Sequence, residues 1–386
     1  MSNDNTTLQQ IVQRFYTPIG HAHSQRVMQQ IASCRTAQNG YHLYQCDEPG
    51  CGHLKYQYHS CRNRHCPNCG ALKKEEWVED RMRELLPVKY YHVVFTLPHQ
   101  LNSLILGNRK PLLKLLFDAA SATLLRFAAD TKYLGALPGI IAILHTWGQQ
   151  LSFHPHLHCI VSGGGIYGLN TDTPEWKTAS KNDWQFLFPV KAMNKVFRAK
   201  YLEGVKKLIA NGMVKPLDDT AAIIEQLYNT DWVVYAKAPF GGPGQVVEYL
   251  GRYTHKVAIS NHRIISINEQ EQSVCFQFKD YSDGHKQKQM TLEAKEFLRR
   301  FEQHILPKGF TKIRSYGYLA NRGRTHRVKN ILCILQLPPH PAKVKTPWQI
   351  RLLEKYGLRF NECPCCKKIS LKLIAVMAPR KYFSDA

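Results

Sequence analysis

The spacing of apolar residues predicts alternating helices and strands along most of the chain. Apolar positions at helical intervals predict helices over residues 1–33, 71–86, 101–131, 245–256 and 293–306. Runs of β-branched and aromatic residues predict strands over 88–98, 231–240, 263–268 and 273–280, with two more strands inside 139–168. Residues 169–230 are expected to form a helical or irregular insertion.

These patterns divide the chain into five segments. An N-terminal helical segment spans 1–33, a cysteine-rich module 34–70 and a connector helix 71–87. A central domain with helical insertions is expected over 88–265, followed by a basic region over 266–386. A length of 386 residues suits two or three domains, at roughly 100 to 200 residues each.

The chain is strongly basic. It contains 52 Lys and Arg against 29 Asp and Glu, a formal charge of +23, and its pI is near 9.5. Much of this charge lies beside glycine, aromatic and histidine residues, as in residues 315–330. A polyanion is the natural partner, and nucleic acid is the first candidate. An acidic membrane surface is disfavoured because no basic amphipathic helix stands out.

The cysteine content points to metal binding. The N-terminus has no cationic segment followed by an apolar one, so secretion is not expected, and the apolar stretches are too short to span a bilayer. The 12 cysteines are therefore expected in a reducing cytoplasm. There, cysteines at short spacing bind a metal more often than they form disulfides.

A structural zinc site is predicted in the cysteine-rich module. Two thiolates separated by two residues on a tight turn can both reach one tetrahedral zinc ion. The predicted ligands are Cys46, Cys51, Cys66 and Cys69. The remaining ligand types predict a second site at Cys34, His59, Cys61 and His65. No open coordination position is implied, and the basic module is expected to act as a DNA-binding head.

A further cysteine motif lies near the C-terminus. Cys363 and Cys366 repeat the spacing of a zinc knuckle, with Cys365 between them. No partner pair is evident beside them in the sequence. These thiols are therefore either half of another zinc site or simply reduced cysteines.

Three histidines alternate along a predicted strand. His154, His156 and His158 share one face because side chains two residues apart point to the same side. His156 and His158 are about 7 Å apart at the backbone, so their side chains can converge on one divalent metal. The alternative is that these histidines bind no metal and form a solvated polar face of the strand. Pro155 disturbs the start of the strand, which weakens the case for His154. His145, on the preceding strand, is either a third ligand or a buried core residue.

A metal held by imidazoles alone would keep open positions for phosphate oxygens and act as a Lewis acid. Tyr249 and Tyr253, four residues apart on a predicted helix, offer nucleophiles that would form a phosphotyrosine. Arg252 and Lys256 lie nearby to receive phosphate charge or to lower a phenol pKa. Taken without the histidines, this helix would be an ordinary one with a packed aromatic pair.

These motifs together resemble a known superfamily. A His-hydrophobic-His strand followed by Tyr-x-x-x-Tyr on a helix resembles the HUH endonucleases. The surrounding segments resemble the two-tyrosine transposases of the insertion sequence 91 group, over most of the chain from Cys34 onward. The segments are SCRNRHCPNCG (60–70), HTWGQQLSFHPHLHCIVSGGG (145–165), YLGRYTHKVAISNHRI (249–264) and KIRSYGYLANRGR (312–324).

The resemblance implies a fold and a reaction. The fold is α+β, with a central, mainly antiparallel sheet flanked by helices and a small zinc-ribbon-like module before it. Tyr249 or Tyr253 becomes linked to the 5′ phosphate of a nicked strand, and the other tyrosine cuts or joins at the target in a rolling-circle-like pathway. His156 and His158 match the family's metal pair for Mg²⁺ or Mn²⁺, and His145 lies where relaxases carry a third histidine.

The partner implied is DNA, mainly single-stranded transposon ends and target, in the bacterial cytoplasm and nucleoid. Backbone contacts and stacking on aromatic side chains are expected to hold the strand, with end recognition by the zinc head. The expected DNA-binding residues are Arg252, Lys256, Arg314, Tyr316, Tyr318, Arg322 and Arg324. A helicase or replication factors would come from the host, because the chain has no Gly-rich phosphate loop.

Three alternatives remain open from the residues. A relaxase would use the same chemistry but usually places its tyrosine before the histidine motif. A rolling-circle replication initiator would also use this chemistry, and the zinc module is the main feature that favours a transposase instead. A non-catalytic, zinc-containing DNA-binding regulator would use the same tyrosines and histidines only for packing, and it would form no covalent adduct with DNA.

Overall fold

The computed structural model describes most of the chain. The described residues are 6–18, 20–69, 71–169, 171–179, 187–237, 240, 242, 244–246, 249, 251, 257–281, 283–341 and 346–379. The α-helices among them are α1 (Leu8–Phe15), α2 (Ala22–Ala32), α3 (Ala71–Met82), α4 (Asn102–Gly107), α5 (Arg109–Ala129), α6 (Val190–Ala210), α7 (Thr220–Tyr228), α8 (Ala294–Glu302), α9 (Arg324–Ile334) and α10 (Trp348–Tyr356).

The strands form three antiparallel sheets. They are β1 (Tyr41–Cys46), β2 (Leu54–Tyr58), β3 (Tyr90–Thr96), β4 (Leu137–Trp147), β5 (Phe153–Tyr167), β6 (Glu175–Thr178), β7 (Val234–Lys237), β8 (Ile264–Asn268), β9 (Ser273–Asp280), β10 (Lys286–Glu293), β11 (Ile313–Gly317) and β12 (Leu371–Met377). A six-stranded sheet has the order β11-β4-β5-β3-β7, with β6 paired to β5. The two smaller sheets are β10-β9-β8 and β12-β1-β2.

Two long helices cover one face of the six-stranded sheet. The buried stripe of α5 contains Leu112, Leu116, Ala120 and Leu124, and that of α6 contains Met193, Phe197, Tyr201 and Val205. These positions recur every four residues, so each helix presents one apolar face. Among the described residues, no helix combines the length and the apolar character that a membrane crossing requires.

Side-chain alternation along the strands separates two apolar layers. Leu157 of β5 packs in the layer formed with Phe117 of α5. Ile160 points to the opposite face and packs in a smaller core that includes Ile331 of α9. His156 and His158 lie on that second face, because they differ from Ile160 by an even number of positions.

The N-terminal helices pack on a different part of the chain. Ile11 of α1 and Ile31 of α2 are fully buried with Phe276 of β9 and Phe297 of α8. The N-terminal helical segment therefore joins the β8–β10 sheet rather than the neighbouring cysteine-rich strands. The core of this region is assembled from residues more than 200 positions apart.

The predicted α+β class, with mainly antiparallel sheet and flanking helices, is confirmed. The expected division at residue 265 does not describe the sheets, because β11 pairs with β4 in the central sheet and β12 pairs with β1 in the cysteine-rich region. Both strands come from the segment expected to be a separate basic region. Strand pairing across such sequence distances leaves no local pattern to read.

The motif at residues 312–324 has a packing role that the sequence did not suggest. Tyr318 is fully buried, and Tyr316 is half-buried against the main core. The ring of Tyr318 fills the space over Gly139, where a Cβ would come within 2.5 Å of it. Stacking of a nucleobase on Tyr318 is therefore excluded in this fold, because the ring has no exposed face.

Gly317 joins β11 to the buried tyrosine and tolerates no side chain. Its φ is +64°, and a Cβ would collide with the carbonyl oxygen of Pro138. We expect Gly317→Ala to lower the thermal midpoint more than Gly212→Ala. Gly212 has a φ of +67° but nothing within 4 Å, so its alanine bears only the left-handed backbone cost of about 1 kcal/mol.

The collision should add about 1–3 kcal/mol at Gly317, the usual cost of forcing atoms into filled space. Thermal unfolding followed by fluorescence measures both variants under one condition. Equal losses for the two would show that β11 shifts freely on β4.

Candidate functional site

Three predicted histidines meet on the second face of the central sheet. The register of β4 and β5 places His145 directly opposite His156, and His158 follows on the same face of β5. Their nearest ligand atoms all lie within 4.8 Å of one another. His145 and His158 are 3% and 9% exposed, whereas His154 is exposed at the mouth of the site. The structure therefore brings together His145, His156 and His158 and leaves His154 outside the group.

Hydrogen bonds orient two of these rings. Nδ1 of His156 lies 2.7 Å from the carbonyl oxygen of His154 and donates its proton there, which leaves the Nε2 lone pair available. Nε2 of His156 and Nε2 of His158 are 3.1 Å apart. Two nitrogens bound at right angles to one metal at about 2.1 Å would be about 3.0 Å apart. The donor set thus fits a six-coordinate divalent ion.

The electrostatics of the site favour metal binding over protonation. Burial lowers the pKa of His156 to about 4, so its imidazole is neutral near pH 7. The three donor groups are imidazoles, and none is a carboxylate. A dication held this way keeps its full positive charge for an incoming anion, such as a phosphate diester.

His92 of β3 is a member of the site that sequence reasoning missed. Its Nε2 lies 3.0 Å from Nδ1 of His158, and the two rings stack with centroids 5.2 Å apart. Burial, and then the positive charge of Lys237, lower the pKa of His92 to about 4. The signal was available: His92 is a single histidine in the apolar strand YYHVVFTLP, on the strand beside β5.

Tyr249 contacts this pair of histidines. Its hydroxyl lies 2.7 Å from Nε2 of His92 and 3.0 Å from Nδ1 of His158. Its ring packs against His92 and Phe240 at centroid distances of 4.7 and 5.3 Å. The hydroxyl is therefore at the Nδ1 edge of His158, while the Nε2 edge faces His156. The predicted partners Tyr253, Arg252 and Lys256 lie outside the described residues.

A cleft of about 490 Å³ opens beside the histidines. Its walls include Trp147, Gln149, Lys279 and Tyr281. Tyr281 is 61% exposed, and its hydroxyl accepts a hydrogen bond of 3.3 Å from Gln149. The Lys279 ammonium lies 6.0 Å from the centre of the Tyr281 ring. Exposed aromatic and cationic groups of this kind suit the bases and phosphates of a nucleic acid strand.

The arginines predicted to bind DNA have different surroundings. The Arg314 guanidinium lies 4.3 Å from the centre of the Phe117 ring and 4.0 Å from Asp118. Arg324 is paired with Glu84 at 3.1 Å, with one fifth of its side chain exposed. Both guanidinium groups therefore have contacts within the protein. Arg322 is exposed and remains accessible to a ligand.

The cysteines form two clusters that differ from the predicted grouping. The first contains Cys34, Cys61, Cys66 and Cys69, and the second Cys46, Cys51, Cys363 and Cys366. The knuckle thiols thus pair with the two cysteines assigned to the second site, and Cys46 and Cys51 pair with the C-terminal motif. Chain-local spacing could not reveal this exchange, because the tail returns to the N-terminal module only in the fold.

The two histidines assigned to the second zinc site lie outside both clusters. His59 contacts the ring of His42 at 2.9 Å and the carbonyl oxygen of Asn39. His65 accepts a hydrogen bond from the backbone amide of Leu306, and burial lowers its pKa well below the usual value. Each ring joins neighbouring segments, and neither belongs to a group of metal ligands.

Comparison with protein families finds two matches. A family described as "Putative transposase" matches residues 139–327, and a "Transposase zinc-binding domain" matches residues 6–97. The first match spans the histidine strands and the segment of Tyr249. The second spans the first cysteine cluster and half of the second. The zinc-binding match and the cysteine clusters together support structural zinc.

Curated relatives cover most of the chain. It is 42% identical over 353 residues to "Putative transposase y4qJ" of Sinorhizobium fredii (strain NBRC 101917 / NGR234), covering 88% of this chain and 86% of that one. It is 32% identical over 300 residues to "Transposase for insertion sequence element IS801" of Pseudomonas savastanoi pv. phaseolicola, covering 76% and 69%. No solved structure matches.

We expect His92→Ala to weaken Mn²⁺ binding at the three histidines by about 10- to 100-fold, the usual cost of removing a hydrogen-bond partner of a metal ligand. The loss follows because His92 holds Nδ1 of His158 and so orients its Nε2. Calorimetric titration of Mn²⁺ measures the affinity. His154→Ala is the matched control: it removes an exposed ring but keeps the backbone carbonyl that orients His156. Unchanged affinity in His92→Ala would contradict this role.

Proposed function

Because this chain belongs to the insertion sequence 91 family of transposases, we propose that it cuts and rejoins single-stranded DNA at element ends through a phosphotyrosine link. As a transposase, it is an enzyme that acts on DNA. The observation that carries the proposal is the contact between the Tyr249 hydroxyl and His158, one of three convergent imidazoles. A tyrosine nucleophile beside a group of metal ligands is the arrangement that this chemistry needs.

The donor set fits Mg²⁺ or Mn²⁺, with His145, His156 and His158 as the residues that would hold the ion. When bound there, the ion would supply Lewis-acid polarisation of the scissile phosphate. The histidines themselves have a second task. They form one wall of the cleft, because they lie side by side on the paired strands β4 and β5.

His92 and His158 hold the Tyr249 phenol by two hydrogen bonds. Attack forms a bond between Tyr249 Oη and phosphorus and breaks the bond to the 3′ oxygen. The products are a 5′-phosphotyrosine and a free 3′ hydroxyl. The phenol loses one proton and the 3′ oxygen gains one. In the structure, the Tyr249 hydroxyl lies at the Nδ1 edge of His158, whereas a phosphate at the grouped ligand atoms would lie at the Nε2 edge. Tyr249 must therefore break its hydrogen bonds to His92 and His158 when the strand binds.

Tyr253 supplies the second transfer in this proposal. It follows Tyr249 by four residues, so a second phenol is available when the first is esterified. In a rolling-circle-like pathway, Tyr253 attacks a target phosphodiester and releases a 3′ hydroxyl. A 3′ hydroxyl then attacks the phosphotyrosine and releases the tyrosine phenol, so each step forms one P–O bond and breaks another. Unwinding would come from a host helicase or replication factors, and the reaction would take place on DNA in the bacterial cytoplasm and nucleoid.

The side chains of the cleft are an argument for a single-stranded substrate. Trp147 and Tyr281 offer aromatic faces near the histidines, and Lys279 offers a cation beside them. We assign base stacking to this surface instead of to Tyr316 and Tyr318, because those two tyrosines pack within the protein. Recognition of the element's end is assigned to the basic zinc-containing head, at a distance along the DNA from the bond that is cut.

We expect labelled single strands from the element's terminus to form an adduct with the protein that resists denaturant and is carried on the 5′ end of the cut. Tyr249→Phe and Tyr253→Phe together should abolish it, because a phenyl ring has no oxygen to esterify. Tyr235→Phe, an exposed tyrosine of β7, should leave the yield unchanged.

Electrophoresis in denaturant with Mg²⁺ measures the adduct, and a filter-binding assay measures retention of DNA. An adduct that survives in the double variant would assign the nucleophile elsewhere. Intact DNA binding without an adduct in the wild-type protein would identify a non-catalytic DNA-binding regulator.

A further inference from the structure

We propose that a second zinc ion binds Cys46, Cys51, Cys363 and Cys366 and fastens the C-terminal segment to the N-terminal module. Two of these ligands lie beyond residues 6–97, the extent of the zinc-binding domain match. The site is therefore shared between the two ends of the described chain. It is independent of the phosphotyrosine chemistry, since none of its residues approaches the histidines.

The sulfur positions have the dimensions of a zinc site. Sγ of Cys46 lies 3.6 Å from Sγ of Cys366, and Sγ of Cys51 lies 3.8 Å from Sγ of Cys363. All four sulfurs lie within 4.8 Å of one another. Four thiolates at about 2.3 Å from a tetrahedral zinc are about 3.8 Å apart. The observed distances match this edge length.

The first cluster provides an internal standard. There, Sγ of Cys69 lies 3.5 Å from Sγ of Cys34 and 3.6 Å from Sγ of Cys61. The two clusters thus have the same spacing, and the first lies wholly within the zinc-binding domain match. A zinc ion that fits one cluster also fits the other.

The backbone around the tail cysteines is shaped to present two thiols and exclude a third. The amide of Cys363 donates to the carbonyl oxygen of Lys368, and the amide of Lys367 donates to that of Cys363, which closes a tight turn. Cys363 is fully buried, whereas Cys365 on the same turn is exposed. Ser370 Oγ lies 2.9 Å from Sγ of Cys46, as expected for a hydroxyl that supports a ligand sulfur.

Side-chain packing adds little to the main-chain pairing of β12 with β1. Leu373, Ile374, Val376 and Met377 are about half exposed, and the buried cluster here contains only Leu371 besides cysteines. The ion pair of Lys372 with Asp47 is exposed and contributes little. A three-stranded sheet with so small a core is marginal alone, so metal binding supplies the missing free energy.

Zinc analysis of the purified, reduced protein tests the proposal. We expect two zinc ions per chain in the wild type and one in Cys363→Ser plus Cys366→Ser. Cys365→Ser is the matched control, since it changes a cysteine on the same turn and should retain both ions. Hydrogen exchange of residues 371–377 should be at least about tenfold faster in the double variant than in this control, because the strand loses its anchor.

Alkylation of the wild-type protein gives a second measurement that does not depend on a variant's folding. Cys365 should react with a maleimide at once, while Cys363 and Cys366 should react only after a chelator removes the zinc. One zinc per chain in the wild type, or two in the double variant, would overturn the proposal. So would unchanged hydrogen exchange of residues 371–377 after zinc loss.

Discussion

The antiparallel register between β4 and β5 decides where His145, His156 and His158 lie relative to one another. A shift of one residue would carry His156 and His158 to the face that packs on α5 and α6. Close contacts across the sheet keep this register. A Cβ on Gly165 would come within 2.6 Å of the Leu137 carbonyl oxygen, and one on Gly164 within 2.5 Å of the Trp176 ring. The glycines that follow the histidines therefore have a steric purpose: they allow neighbouring chains to approach the strand.

The same register explains why the three grouped ligand atoms are all imidazole nitrogens. The three ligands come from two adjacent strands, so their rings converge through strand pairing alone. His92 adds a fourth ring from β3, on the other side of β5. The tyrosine then reaches the rings from outside the sheet. The imidazoles thus lie on paired strands, whereas Tyr249 lies on a separate segment.

Strand periodicity was the basis for predicting much of the histidine site from the sequence. The alternation of His154, His156 and His158 predicted a shared face, and the sequence left His145 as either a third ligand or a buried core residue. His92 escaped because a lone histidine in an apolar strand has no periodic partner. The motif around Tyr318 was misleading for a physical reason: glycine, aromatic and basic residues at short spacing serve a packed edge strand as well as a nucleic acid surface. Only burial distinguishes the two.

The sequence positions of the cysteines decide the order in which the two clusters can assemble during synthesis. Cys51 and Cys363 are separated by 312 positions, so the N-terminal module lacks half of one cysteine cluster while the ribosome translates the central sheet. The first cluster can close early, since its last ligand is Cys69. The second must wait until Cys366 has left the exit tunnel. A chain truncated before Cys363 would lack β12, and Cys46 and Cys51 would be left with half of their cluster.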